Sequence, residues 1–112
     1  YIILDAGMND LMRPALYGAH HEIIPLKKNN GRISENIEFV GPICESTDKF
    51  LSRKGFSKIK EGDHVAITDV GAYGMSLTSN YNTRPIASEI MVNGSKHKLI
   101  KKRQSLENLI NN

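Results

Sequence analysis

Short apolar runs separated by turn residues, rather than the long i, i+3, i+4 repeats of a helical protein, run along this chain. Tyr1-Ile2-Ile3-Leu4 reads as a buried strand already under way, and residues 21–26 read as the next strand. That strand is closed by Asn29-Asn30-Gly31, where Asn-Gly is the strongest short hairpin signal, and a returning strand is predicted at 33–40. The polar stretch 48–62 reads as a connector with a turn at Glu61-Gly62-Asp63. Branched residues mark 64–70 as the clearest strand, which should end at the glycine-flanked Tyr73, and 76–82 reads as a loop or short helix. Asn93-Gly94 joins a further predicted pair at 87–92 and 97–102.

Helical character is brief. Residues 10–17 suit a compact turn, because Pro14 argues against a long regular helix and Gly18 stops it. Ser105 is a predicted N-cap, with Leu106, Leu109 and Ile110 at helical spacing behind it. Many short strands with hairpin turns and only short helical segments predict an all-β Greek-key β-sandwich or barrel. No internal repeat or low-complexity segment interrupts it.

Composition narrows the class. A chain of 112 residues holds at most one domain, and 39% hydrophobic with 24% charged residues is ordinary for a soluble globular one. No apolar run approaches the roughly 20 residues of a membrane span. A single cysteine excludes an internal disulfide framework and a thiolate zinc cluster, and fits a reducing, cytoplasmic setting. The net charge of +3 is modest. Its one basic run, from Lys96 to Arg103, is interrupted by Leu99-Ile100, as in an exposed edge strand, and no aromatic platform accompanies it to suggest nucleic acid. Adjacent His20 and His21 would point to opposite faces of a strand, and no acid-histidine cluster completes a metal site. His64 and His97 read as ordinary strand residues, and Asp5 and Asp48 as turn or interface residues. Gly71 and Gly74 lack phosphate-loop spacing and are expected to give backbone freedom around Tyr73.

Candidate chemistry centres on Gly41-Pro42-Ile43-Cys44-Glu45-Ser46. Glycine and proline impose a turn there, presenting a thiol and a carboxylate at a strand end. An unpaired cysteine is also commonly a small buried hydrophobe, and the local sequence leaves both readings open. If residues 10–17 are helical, Arg13 and Tyr17 share one face. Alone, they would be a surface arginine and a packing tyrosine.

Three stretches together go beyond generic pattern. They are Asp5-Ala6-Gly7-Met8-Asn9-Asp10-Leu11-Met12-Arg13-Pro14-Ala15-Leu16-Tyr17, the Cys44 motif, and Gly71-Ala72-Tyr73-Gly74-Met75-Ser76, with Asn80-Tyr81-Asn82 and Arg84-Pro85 continuing the likeness. In this order they resemble the diaminopimelate decarboxylases, specifically the C-terminal β domain, so that residues 1–112 would be that domain without its pyridoxal-phosphate-binding (β/α) barrel. The resemblance implies a lyase that removes the carboxylate at the D-configured carbon of meso-diaminopimelate, giving L-lysine and carbon dioxide in the last step of lysine synthesis. Pyridoxal 5'-phosphate would supply the electron sink. In the family a barrel lysine holds it, and no lysine here sits in such a motif, so this chain alone should be inactive. A homodimer is implied as well, with the cysteine-glutamate pair reaching the opposite subunit's cofactor.

Each matched residue then has an implied role. Cys44 matches the proton donor, and a thiol, with a reference pKa of about 8.5, is mostly protonated near neutral pH yet acidic enough to give up its proton. Glu45 matches the position that binds the substrate's far ammonium. Arg13 and Tyr17 match the positions that hold the distal carboxylate, where a guanidinium fork binds in bidentate fashion. Tyr73 matches a tyrosine lying at both cofactor and substrate. Ornithine and arginine decarboxylases share the fold but typically carry aspartate where Glu45 stands, which favours diaminopimelate over a related basic amino acid. His20 departs from the tyrosine often found before the His-Glu pair, outside the substrate positions. The competing expectation is a stand-alone binding or dimerisation module without catalysis. An open reading frame extending roughly 300 residues upstream, enough for a barrel and linking strands, would decide for the enzyme.

Overall fold

The computed structural model describes residues 1–28 and 30–111. In chain order the elements are β1 (Ile2–Ile3), α1 (Arg13–Tyr17), β2 (Ile23–Pro25), β3 (Arg32–Val40), β4 (Lys49–Ser57), β5 (Val65–Ile67) and α2 (Gly71–Ser76). A 3-10 turn (Tyr81–Thr83), β6 (Glu89–Asn93), β7 (Lys96–Lys101) and α3 (Leu106–Ile110) follow. Strands and short helices match the all-β class.

Three sheets form among the described residues: β1-β3-β4, β2-β5 and β6-β7. The central pair is the antiparallel β3–β4 hairpin, with Phe39 opposite Leu51 and Val40 opposite Lys49, and β1 adds to β3 in parallel. Phe39 is fully buried and meets Phe56 edge-to-face, ring centroids 4.9 Å apart, a favoured aromatic geometry. Ile37, Phe50, Leu11 and Ile23 complete the buried cluster. Ile23 comes from β2, and half-buried Val65 and Ile67 from β5, so the second sheet is held to the first by this core.

Several sequence expectations change. Residues 48–62 contain β4 rather than a connector alone. Its apolar residues Phe50, Leu51 and Phe56 face inward among lysine, arginine and serine, and Arg53 lies over the Phe56 ring at 5.6 Å, so the charges belong to a covered face as well as a solvated one. The strand at 21–26 does not pair with its successor. It pairs with β5, because burial of Ile23 against Ile67 outweighs the local turn signal, and the turn itself includes Asn29, which lies outside the described residues. The first strand is not buried throughout: Tyr1 and Ile3 are exposed, and only alternate residues Ile2 and Leu4 pack on the core.

Several turn and capping expectations hold. Gly18 ends α1 in the left-handed conformation (φ 64°). Glu61 and Gly62 form a turn, and Asn93-Gly94 turns β6 into the exposed β7. Ser105 caps α3 in a reciprocal capping box with Asn108. Among the described residues, no helix is long and apolar enough to cross a membrane.

Phe39→Ala should destabilise the domain by about 3–5 kcal/mol, whereas Phe39→Leu should cost clearly less. Denaturant unfolding of the two variants, compared with the parent protein, checks the order.

Candidate active site on two loops and two short helices

Residues 41–48 join β3 to β4, so Cys44 and Glu45 ride at the tip of the central hairpin. The Gly41 amide donates to the Asp48 carbonyl at 2.9 Å and closes the loop. Inside it lies the Asp48 carboxylate, 3% exposed, with Oδ2 accepting from the Ile43 amide and Oδ1 from the Met8 amide, each at 2.7 Å. A buried carboxylate is tolerated only when its oxygens are bonded in this way. Gly41 makes room for it, since a methyl there would sit 2.4 Å from both Asp48 oxygens. Ile43 is buried as a plug, and a methyl on Gly7 would approach its Cδ1 to 2.8 Å. With Ile43 and Asp48 turned inward, the thiol and carboxylate between them turn out: Cys44 and Glu45 are both exposed. The small-core-hydrophobe reading of Cys44 therefore fails.

Glu45 is met from a distant part of the chain. The Tyr81 hydroxyl donates to Glu45 Oε1. Tyr81 opens the 3-10 turn, which is fastened to the same Gly7–Asp10 stretch that Asp48 grips. Fully buried Asn9 accepts from Arg84 Nε at 2.9 Å through Oδ1, and its Nδ2 donates to the Ser79 carbonyl at 3.3 Å. Arg84 also donates to the Asp5 carbonyl at 2.5 Å and pairs with Asp10 at 3.5 Å. Tyr81, Asn9, Arg84 and the anchoring function of Asp48 are the residues that sequence reading misses. Tyr81, Asn9 and Arg84 are signalled in the sequence only by membership of the resembling stretches, and Asp48 lies outside them; the contacts between these segments span 36 to 79 positions.

The remaining candidates meet on α1 and α2. The Arg13 guanidinium lies 5.9 Å from the Tyr17 ring centroid and 5.7 Å from that of Tyr73, so three predicted residues form one cation–π cluster. Arg13 and Tyr17 are one turn apart on α1, as the spacing predicts. Tyr73 sits within helix α2 rather than at a strand end. Gly71 and Gly74 are not in the positive-φ region, so backbone freedom is not their contribution. Gly74 is buried, and a methyl there would lie 3.4 Å from Val70 Cβ and 3.7 Å from Leu11 Cδ1; its use is close packing against the core residue that precedes α1. A second tie holds the two helices' flanks. His21, 4% exposed, donates from Nδ1 to the Thr68 carbonyl at 3.0 Å, while the Thr68 amide donates to the Glu22 carbonyl at 2.8 Å. His20 is exposed, so the adjacent histidines do face opposite ways, although both precede β2.

Some of the surface charges pair within the chain. Glu22 pairs with Arg53, Glu38 with Lys49, Asp10 with Arg84 and Glu89 with Lys101. Arg13 and Glu45 have no ion-pair partner among the described residues. They share this with other surface charges such as Glu35 and Lys54, and differ from them in their setting, Arg13 against two aromatic rings and Glu45 beside the exposed thiol. Two open clefts, of about 860 and 550 Å³, are lined by other residues, around β1 and around Lys27 and Lys60; none of Arg13, Tyr17, Cys44, Glu45 or Tyr73 borders either. Tyr17, Cys44, Glu45 and Tyr73 are exposed and Arg13 is half-buried.

Comparison with known proteins gives a consistent result. Residues 1–71 match the family described as pyridoxal-dependent decarboxylase, C-terminal sheet domain. Diaminopimelate decarboxylase of Zymomonas mobilis is 46% identical over 110 residues, covering 98% of this chain and 26% of that protein. Among solved structures, diaminopimelate decarboxylase from M. jannaschii superposes with TM-score 0.89 at 41% identity, over 97% of this chain and 25% of that one. The Helicobacter pylori enzyme complexed with L-lysine gives 0.88 at 42%, over 97% and 27%. The chain spans about a quarter of the length of these relatives.

Removing the carboxylate that grips both loops should loosen them locally. In Asp48→Ala, hydrogen exchange at the Met8 and Ile43 amides should accelerate about tenfold to a hundredfold, from loss of hydrogen bonds to a charged acceptor, while β3 amides far from the loop change little.

Proposed function

This chain belongs to the pyridoxal-dependent decarboxylase family as its C-terminal sheet domain, and from that membership we propose that it forms the substrate-facing part of a diaminopimelate decarboxylase. The reaction would be loss of carbon dioxide from meso-2,6-diaminopimelate to leave L-lysine. The observation that carries this reading is the chemical setting of two opposite charges. Arg13, with Tyr17 and Tyr73 against it, offers a cation for a carboxylate, and Glu45, beside the exposed Cys44 thiol, offers an anion for an ammonium. A substrate whose far end bears one carboxylate and one ammonium satisfies both. The relatives that cover almost the whole chain carry the same activity in their names, which supports the assignment.

The residues present fit a cofactor with a phosphate. Tyr73 is 68% exposed and its hydroxyl has no hydrogen-bond partner among the described residues, so it is free to donate to a phosphate or carboxylate oxygen. Pyridoxal phosphate, when bound, supplies the sink for the electron pair left at the substrate carbon as carbon dioxide departs. The chain's own residues do the rest on this reading. Cys44 Sγ–H delivers a proton to that carbon on one face. Arg13 clamps the distal carboxylate with two N–H groups while Tyr17 and Tyr73 hold its guanidinium in place. Glu45 takes the distal ammonium in a charge-assisted contact. Lysine and ornithine lack the distal carboxylate and would leave Arg13 without its partner, a mismatch that can cost about 10⁴ or more in discrimination.

Because Tyr17, Cys44, Glu45 and Tyr73 are exposed on the chain's surface, we assign the facing wall of the site to the rest of the enzyme and to a second subunit in a homodimer, with the Cys44-Glu45 loop crossing to the opposite active site. A cytoplasmic location accords with the single unpaired cysteine.

In the full-length enzyme carrying this domain, Cys44→Ala should lower turnover by about 10² to 10⁴ while cofactor absorbance stays at the parent level; turnover near the parent value would remove Cys44 from the proton-transfer step. Arg13→Lys should raise KM for diaminopimelate by about tenfold or more without displacing cofactor, as a single ammonium replaces the fork. Steady-state kinetics across a substrate range, with cofactor content measured in parallel, tests both.

A further inference from the structure

Glu45 is exposed at the tip of a hairpin loop, and a glutamate so placed would ordinarily sample many rotamers. Here it does not stand alone, because the Tyr81 phenol donates to Oε1. Tyr81 is presented by a turn with little freedom of its own. The Thr83 amide donates to the Asn80 carbonyl at 2.8 Å, and the Asn80 side-chain amide donates to the Arg84 carbonyl at 2.9 Å. Arg84 in turn is fixed by Asn9, Asp10 and Asp5. Asn82 and Thr83 both adopt φ 57°, a conformation disfavoured for β-branched threonine, which surrounding contacts must hold. The phenol therefore approaches Glu45 from a braced platform, and that platform and the Glu45 loop are both fastened to the Gly7–Asp10 stretch.

We propose that Tyr81 is a positioning residue for substrate specificity: by holding Oε1 of Glu45 it orders the carboxylate and reserves Oε2 for the substrate's distal ammonium. This rests on the reading of Glu45 as the ammonium-binding residue. The phenol is neutral, so it orients Glu45 without cancelling the charge that attracts the ammonium. An ion pair at the same position would compete with substrate. Glu22, Glu38 and Glu89 each have a basic partner within the chain, whereas Glu35, Glu61 and Glu107 have no ion pair and, unlike Glu45, no phenol donating to them among the described residues.

The test uses the full-length enzyme with two compounds: meso-diaminopimelate, and D-2-aminopimelate, which keeps both carboxylates and the reacting amine but lacks the distal one. The second is assayed as substrate or as competitive inhibitor. Glu45→Gln should weaken binding of diaminopimelate and leave that of aminopimelate nearly unchanged. Tyr81→Phe should raise KM for diaminopimelate about fivefold to tenfold, the scale of disordering one long side chain, with kcat within about twofold. Aminopimelate should bind the Tyr81→Phe enzyme as it binds the parent. Combined with Glu45→Gln, Tyr81→Phe should add nothing further, because both act through one carboxylate. Equal weakening of both compounds by Tyr81→Phe would mean a general loop support and overturn the proposal, as would no effect on either. If Glu45→Gln itself failed to distinguish the two compounds, the ammonium-binding reading of Glu45 would fall first and take this proposal with it.

Discussion

The candidate site depends on one buried charge. Asp48 ends the loop that carries Cys44 and Glu45, and its two oxygens are divided between the loop's own Ile43 amide and the Met8 amide, 40 positions away. Each bond is short and charge-assisted, and the carboxylate has almost no water to fall back on, so both must be kept. Pulling Asp48 and Ile43 inward forces the intervening Cys44 and Glu45 outward. The exposure of the chemical groups is thus a consequence of what the loop buries, and Gly41 is required because any side chain would occupy the space of the carboxylate.

Met8 belongs to a short stretch that serves as a common anchor. Gly7 leaves room for Ile43 and for the Asn9 side chain, Asn9 binds Arg84 and Ser79, and Asp10 binds Arg84 and accepts from the Gly7 amide at 2.8 Å. Three segments far apart in sequence therefore share one buried polar network, in which every lost partner strands another group. Immediately after it, Leu11 enters the hydrophobic core and α1 begins, so the same stretch sets where Arg13 and Tyr17 stand. The core and the site are joined through this turn, with Phe39 and Phe56 fixing the hairpin from below and Asp48 fixing its loop.

What the sequence made legible follows from how local each cause is. Gly18, Gly94 and Ser105 act within a few residues, and the breaks they signal are where the structure has them. The i, i+4 relation of Arg13 and Tyr17 is local too. Strand β4 was hidden because its residues include lysine, arginine and serine, and only pairing with β3 and the stacking of Arg53 on Phe56 make a strand of them. Helix α2 was hidden because two glycines in six residues oppose helix formation, and packing of Gly74 near Leu11 overrides that preference. Parallel pairing of β1 with β3 leaves no turn signature at all. Tyr81 was beyond reach for the same reason: nothing near it in sequence points to Glu45. The resemblance to a known family supplied Cys44, Glu45, Arg13, Tyr17 and Tyr73, and the structure brings the last three into one cluster and places the first two together on one loop.

The two groups differ in a way that bears on assembly. Arg13 is buttressed by aromatic faces that leave its fork of donors open, and Glu45 by a neutral phenol that leaves its charge intact. Each support orients a charge without neutralising it, unlike the ion pairs elsewhere on the surface. Two unneutralised opposite charges belonging to one site would be expected to approach and pair if the chain brought them together, which would block the ligand they serve. Among the described residues they do not pair. On the proposed reading, the dimer resolves this: Arg13 of one subunit and Glu45 of the other meet across the distal end of the substrate, and the substrate's own ammonium and carboxylate fill the space between them. On that same reading, specificity for a diamino diacid would come from charges on separate subunits, each poised by a neutral partner and neither satisfied until the ligand is present.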